Sequence, residues 1–208
     1  MSIDQLNLHQ LKELEAYIPE LAGFPSRVLV DTYEDFIGVL YADIDKIIYQ
    51  TQENPELCQE DSEDKLTLDI KKQLCCMGYD ATHELKIGGH CDLVVKKNNF
   101  IWIGEAKKHS SYPYLWKGFQ QLMTRYSTGD DNQKDGGILI YIFIKNAQSV
   151  MQKWKNYLSE KELTGYSSNS CPLRKLAFFS NHTHERSGLA FKIRHMPVIL
   201  YFNPKDKK

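Results

Sequence analysis

The chain has 208 residues, 42% of them hydrophobic and 25% charged, with a formal net charge of −1 and five cysteines. That length and apolar content suit one domain of moderate size with an appendage, large enough to bury a real core. No run approaches the 18 apolar residues of a membrane-spanning helix, Met1-Ser2-Ile3-Asp4-Gln5 carries no basic and apolar leader, and an odd cysteine count with the vicinal Cys75-Cys76 suits reduced thiols, so a cytoplasmic protein is expected.

The net charge conceals a division along the chain. Residues 1 to 64 hold fifteen acidic and three basic side chains, a net of −12, whereas residues 65 to 208 hold twelve and twenty-three, a net of +11. The whole-chain balance therefore says little about partners. The basic part is what a protein gripping a phosphate backbone needs.

Residues 3 to 21 place Leu8, Leu11, Leu14, Ile18 and Leu21 at helical spacing, and residues 29 to 50 place Tyr33, Ile37, Leu40, Tyr41, Ile44 and Ile48 likewise. Gly23-Phe24-Pro25-Ser26 separates them, which predicts an acidic helical hairpin over residues 1 to 50. Its stripes must pack on the core, on a second copy or on a partner, and packing on its own core is the plainest outcome. The strong charge makes a protein partner or homo-oligomer through this hairpin an expectation as well. Residues 51 to 62 are polar with one proline and read as a connecting loop.

A helix is expected over 61 to 77, with Ser62-Glu63-Asp64 in the form of a helix N-terminus. Asp92 then opens the apolar Leu93-Val94-Val95, and Phe100-Ile101-Trp102-Ile103 leads into Glu105-Ala106-Lys107. Between the two runs, Lys96-Lys97-Asn98-Asn99 reads as a tight hairpin, because Asn tolerates the positive φ such turns require. Alternation along the strand points Glu105 and Lys107 the same way, with Ile101 and Ile103 beneath them and Gly104 and Ala106 on the other face. If the strands pair in register, Asp92 comes within a few ångströms of Glu105. Two carboxylates so close repel, and a hard divalent cation is the natural remedy: Mg²⁺, with Mn²⁺ able to substitute, held by Asp92, Glu105 and the Ala106 backbone carbonyl. Lys107 would stand beside a metal-bound water.

A helix over 112 to 127, a strand over 137 to 143 and a helix over 147 to 160 follow. The stretch from Gly165 to Pro172 reads as a loop, 176 to 179 and 189 to 201 as strands, Ser180 to Gly188 as a polar turn, and 204 to 208 as a frayed tail.

Asp92, Glu105-x-Lys107, the hairpin that carries them, the flanking helices and the strand after them resemble the catalytic signature of the PD-(D/E)xK nuclease superfamily over roughly residues 60 to 145. The resemblance implies an α/β, restriction-endonuclease-like fold, a mixed central sheet flanked by helices, with a core at residues 63 to 203. It implies metal-dependent hydrolysis of nucleic-acid phosphodiesters, DNA ahead of RNA, and a regulated effector or subunit in bacterial antiphage defence or restriction. Many members add an acidic residue from the preceding helix; Glu63 is favoured, with Asp64 its neighbour in angle and Asp69 pointing away. Some branches carry Gln-x-x-x-Tyr after the hairpin. Here Gln121 stands at that position, but Tyr126 is one residue late, so the glutamine carries over better than the tyrosine. The expected catalytic set is thus Asp92, Glu105, Lys107, Glu63 and Gln121, with His90, Lys108, Lys117 and Arg125 as nucleic-acid contacts.

Two other readings compete. Cys75, Cys76, His83, His90 and Cys91 fall within seventeen residues and His182-Thr183-His184 forms a second group, but neither has zinc-finger spacing, and Cys75 and Cys76 read more simply as buried small side chains. The chain could also be a catalytically silent nuclease-like binding or scaffold subunit. The complete carboxylate and lysine set argues against that.

Overall fold

The computed structural model describes residues 5 to 83, 85 and 86, and 90 to 206. The beginning of the expected first helix, residues 3 and 4, and the tail residues Lys207 and Lys208 lie outside the described residues. The chain forms α1 (Leu8–Leu14), α2 (Phe24–Val28), α3 (Tyr33–Glu53), α4 (Glu63–Cys76), β1 (Asp80–Thr82), β2 (Leu85–Lys86), β3 (His90–Cys91), β4 (Leu93–Lys97), β5 (Phe100–Lys108), α5 (Tyr112–Gln121), β6 (Asp135–Ile142), α6 (Ala147–Ser159), β7 (Ser167–Ser170), β8 (Phe178–Thr183) and β9 (Ala190–Ile199).

Seven strands make one mixed sheet in the order β1-β4-β5-β6-β9-β8-β7, and β2 pairs with β3 as a separate ribbon. The parallel pairs β5 with β6 and β6 with β9 form the centre, and antiparallel neighbours flank them. The central β6 is buried along its whole length, which is what an apolar run without alternation calls for in a parallel strand covered on both faces. One face, with Leu93, Val95, Trp102, Leu139 and Tyr141, packs on α3 and α4. The other, with Val94, Ile103, Ile138, Ile140 and Ile193, packs on α5 and α6.

Helix α3 starts at Thr32, whose hydroxyl accepts from the Asp35 amide at 3.1 Å, with Glu34 and Asp35 in its first turn. Its expected stripe is observed: Tyr33, Ile37, Leu40, Tyr41, Ile44 and Ile48 are buried, joined by Phe36 and Ile47. Of the three resting places weighed for this segment, α3 occupies the core. The pairing into a helical hairpin is corrected. Helix α1 stops at Leu14 and buries no residue, Pro19 begins a separate 3₁₀ turn (Pro19–Leu21), and the presumed break at Gly23-Phe24-Pro25-Ser26 contains α2 with Pro25 in its first turn. Proline cannot donate within a continuing helix but fits a first turn, so it divides this stretch into short pieces.

Two further expectations differ from the fold. The 165 to 172 loop holds the edge strand β7, and the polar stretch from Ser180 continues β8 to Thr183. Ser180, His182 and His184 are buried: Ser180 Oγ meets His195 Nε2 at 2.8 Å and Ser127 Oγ meets His184 Nε2 at 2.6 Å, pairings that let polar groups enter a core, whereas His182 Nε2 meets Met123 Sδ at 2.8 Å and its Nδ1 has no partner among the described residues. Cys75 and Cys76 are exposed, not buried, since they follow Leu74 round to the outer face of α4.

Candidate active site

The β4–β5 hairpin turns through Asn98-Asn99, with Asn98 at a φ of 55°. Leu93 pairs with Gly104, which sets Asp92 beside Glu105. Asp92 Oδ2 accepts from the Ala106 amide at 2.9 Å, fixing the carboxylate at the mouth of the hairpin. Glu63, the first residue of α4, reaches the end of β5 and accepts from the Lys108 amide at 2.5 Å. Ser62 caps the same helix by accepting from Lys65 N at 3.1 Å. The cap and the site are therefore consecutive residues, and Asp64 is exposed outside the cluster.

Four oxygens converge on the Lys107 ammonium: Glu105 Oε1 at 2.7 Å, the Ala106 carbonyl at 2.8 Å, Glu63 Oε1 at 3.3 Å and Asp92 Oδ2 at 3.4 Å. Lys107 is 7% exposed. Burial by itself would lower its pKa, but Glu105, Asp92 and Glu63 outweigh that and raise it. Glu105 is 1% exposed, and its second oxygen, Oε2, is buried without a hydrogen-bond partner among the described residues. Burial first, then the Asp92 charge, push its carboxyl up to about 7 despite the ammonium beside it.

This shift has a sign that stability measurements can read. Between the ordinary value of 4.5 and about 7, the folded protein holds a proton on Glu105 that the unfolded chain does not, so stability falls as pH rises through that window. The buried imidazoles of His182 and His195, lowered by burial, act oppositely from 6.5 downward and so within the same window, where only the unfolded chain binds their protons. Comparing the wild type with Glu105→Gln isolates the carboxylate: from pH 4.5 to 7 the wild type should lose on the order of 3 kcal/mol relative to the variant in metal-free urea melts. Parallel pH profiles for the two proteins would refute it.

Helix α5 lies close over this cluster. A Cβ on Gly118 would stand 3.0 Å from both Lys107 Cε and Cγ and 3.2 Å from Glu105 Cγ. Gly118→Val should therefore displace the two side chains or the helix, with a loss of about 1 to 3 kcal/mol and lost activity. A glycine in a helix interior, unfavourable by about 1 kcal/mol against Ala, was the signal in the sequence for such an approach. Tyr114 is a second residue that sequence reasoning missed. Its hydroxyl donates towards both Glu63 oxygens at 3.4 Å, and its ring lies 5.8 Å from Lys107 Nζ. It stands one turn into the helix that follows the Glu-x-Lys strand, and that placement was its only trace in the sequence.

The remaining expected residues divide. Beyond Gln121 the helix continues as a π turn, Leu122–Tyr126, which takes up the extra residue in the Gln121 to Tyr126 spacing. Tyr126 is buried, and burial followed by the charges of Glu105, Cys91 and Asp92 pushes its phenol up to about 12. Gln121 is half-buried and makes no hydrogen bond to the carboxylates. Lys117 and Arg125 are exposed and free to meet an anion, whereas His90 is exposed in the β2–β3 ribbon without a hydrogen bond to the cluster. Lys108 does not fit its expected role. Its Nζ donates to the Asp61 carbonyl at 2.9 Å and lies 4.4 Å from the Phe143 ring, because the next residue after Lys107 in a strand points to the opposite face.

As they lie, no three Asp, Glu, His or Cys side chains among the described residues are grouped closely enough to hold a metal ion. The oxygens surround the ammonium instead. Their chemistry nonetheless fits a hard divalent cation, since three carboxylates and a carbonyl are oxygen donors and Glu105 Oε2 is a buried acceptor with nothing to accept.

Comparison of the chain with protein-family models, with curated proteins and with solved structures returned no match. What stands without reference to relatives is a mixed α/β fold with a seven-stranded mixed sheet. Among the described residues no helix is long and apolar enough to cross a membrane.

Proposed function

We propose that the protein is a Mg²⁺-dependent hydrolase of nucleic-acid phosphodiesters, with DNA favoured by the superfamily resemblance. The observation that carries this reading is the buried Glu105 carboxylate with an unpartnered oxygen, set among Asp92, Glu63 and the Ala106 carbonyl. Asp92, Glu105 and the Ala106 carbonyl would hold the ion, and Mn²⁺ would substitute. When bound, the ion supplies water activation and charge neutralisation at a phosphorane-like transition state. Lys107 then turns its ammonium from Glu105 to a phosphate oxygen or the attacking water, and Glu63, held by the Lys108 amide and Tyr114, keeps that ammonium oriented. Lys117 and Arg125 meet the flanking phosphates.

One observation favours a catalytically silent reading: the ammonium already fills the space between the carboxylates. Metal binding separates the two. An ion must draw the proton from Glu105, whose carboxyl burial pushes up to about 7, so Mg²⁺ binding near neutral pH should release protons. Calorimetry in buffers of different ionisation enthalpy measures this, and plasmid, linear single-stranded DNA and RNA incubated with Mg²⁺, Mn²⁺ or EDTA measure cleavage. Absence of both Mg²⁺ binding and metal-dependent cleavage leaves the silent subunit.

The role of a regulated effector or subunit in antiphage defence or restriction rests on the resemblance alone. A protein partner or second copy would use the N-terminal segment, where Tyr17, Phe24 and Val28 are exposed at 81%, 53% and 44%.

A further inference from the structure

A groove of about 470 Å³ lies between α6 and the β7–β8 edge of the sheet, lined by Gln148, Gln152, Lys155, Ser170, Lys175 and Phe178 among others, with no acidic side chain in its lining. Lys155 is half-buried, its Nζ 5.8 Å from the Phe178 ring centroid, and Lys175 is exposed. Neither forms an ion pair among the described residues. Two ammonium groups and the Gln148 amide therefore face one concave surface without an anion to meet, while the Gln152 amide donates to Asn156 Oδ1 at 3.0 Å. That is a donor set for phosphate oxygens.

The register of the sheet ties this groove to the carboxylate cluster. Glu105 pairs with Ile138, Ile138 with His195, His195 with Phe178, and Phe178 with Ser170. Glu105 and the groove thus share one transverse row. With strands about 4.8 Å apart, Phe178 lies about 14 Å and Ser170 about 19 Å from Glu105 across the sheet. The first turn of α6 follows the end of β6, contains no acidic residue and contributes Gln148 to the groove. The intervening Ile138 and His195 are fully buried beneath α5 and α6, so a strand that reached both places would pass over the helices and not along the row.

We infer that this groove is a second phosphate-backbone subsite, holding a nucleic-acid strand away from the bond presented to Asp92 and Glu105; its relation to that bond, though not the binding, rests on the nucleolytic reading. The neighbouring edge strand β7, Ser-Ser-Asn-Ser, has no apolar alternation for an added peptide strand to match, so its chemistry favours a polar backbone over a peptide.

The test is anisotropy of a labelled single-stranded oligonucleotide of about twelve nucleotides, in EDTA, across a salt series. Lys155→Ala/Lys175→Ala is compared with Lys96→Ala/Lys97→Ala, which removes the same charge at the hairpin tip, about 17 Å along β5 from Glu105 at 3.3 Å per residue. Each phosphate contact on a single strand adds about 0.7 to the slope of log affinity against log salt, so the groove variant should lose about 1.4 and the tip variant little. A wild-type slope in the groove variant, an equal loss in the tip variant, or no binding by the wild type overturns the subsite. Hydrolysis of bis(p-nitrophenyl) phosphate with Mg²⁺ or Mn²⁺ reports the carboxylate cluster by itself: cleavage with an unchanged slope removes only the groove, and a reduced slope without cleavage removes only the nucleolytic reading.

Discussion

Asp92→Asn and Lys107→Ala should each lower metal-dependent cleavage by about three orders of magnitude, the scale of losing a charged group aimed at a transition state. The two should differ in stability. An Asn at 92 keeps an oxygen to accept the Ala106 amide now bonded to Asp92 Oδ2 at 2.9 Å, so its melting temperature should stay near that of the wild type. Lys107→Ala removes the only partner of the Glu105 carboxylate among the described residues, and leaves this acid, 1% exposed, with neither oxygen satisfied. At neutral pH Glu105 should then be protonated, and the variant destabilised by about 1 to 3 kcal/mol. The sequence placed Lys107 beside a metal-bound water; at 7% exposure it is packed among carboxylates, so its loss reaches stability as well as activity. Glu105→Gln/Lys107→Met replaces the buried pair with neutral groups of similar volume, and should be inactive yet as stable as the wild type or more so. Full activity in Asp92→Asn or Lys107→Ala, with the fold preserved, would remove the proposed site.

Deleting residues 1 to 50 should abolish folding. Phe36, Leu40, Ile44, Ile47 and Ile48 of α3 have no exposed surface, and at about 1.5 to 3 kcal/mol for each such side chain their loss matches the whole stability of an ordinary domain. The deletion also removes Asp45, whose carboxylate lies 2.7 Å from Arg194 and 3.4 Å from Arg174, leaving two buried guanidinium groups without an anion. Deleting only residues 1 to 22 should be tolerated, because α1 buries nothing and is tied to the rest chiefly through Glu15, which accepts from Ser26 N at 2.6 Å and Oγ at 2.7 Å. Circular dichroism and thermal melts of both truncations decide this. A cooperative melt in the longer deletion would restore the idea of a separable acidic segment.

Local chemistry was legible in the chain. The hairpin through Asn98-Asn99, the helix beginning at Ser62 and the common face of Glu105 and Lys107 follow from turn propensity, capping and strand alternation, all of which act over a few residues. The same periodicity marked the stripe of α3 but not its destination, because an amphipathic helix has the same pattern whether it covers its own sheet or a neighbour. His182 and His184 looked like turn residues until Ser127 and the sheet supplied partners from distant positions. The approach of Gly118 and Tyr114 to the cluster likewise depends on where α5 crosses β5. The sequence determined which carboxylates could meet across one hairpin. Only the tertiary structure decided that they meet around a buried ammonium, since burial is a property of what packs above a strand and carries no mark in the strand itself.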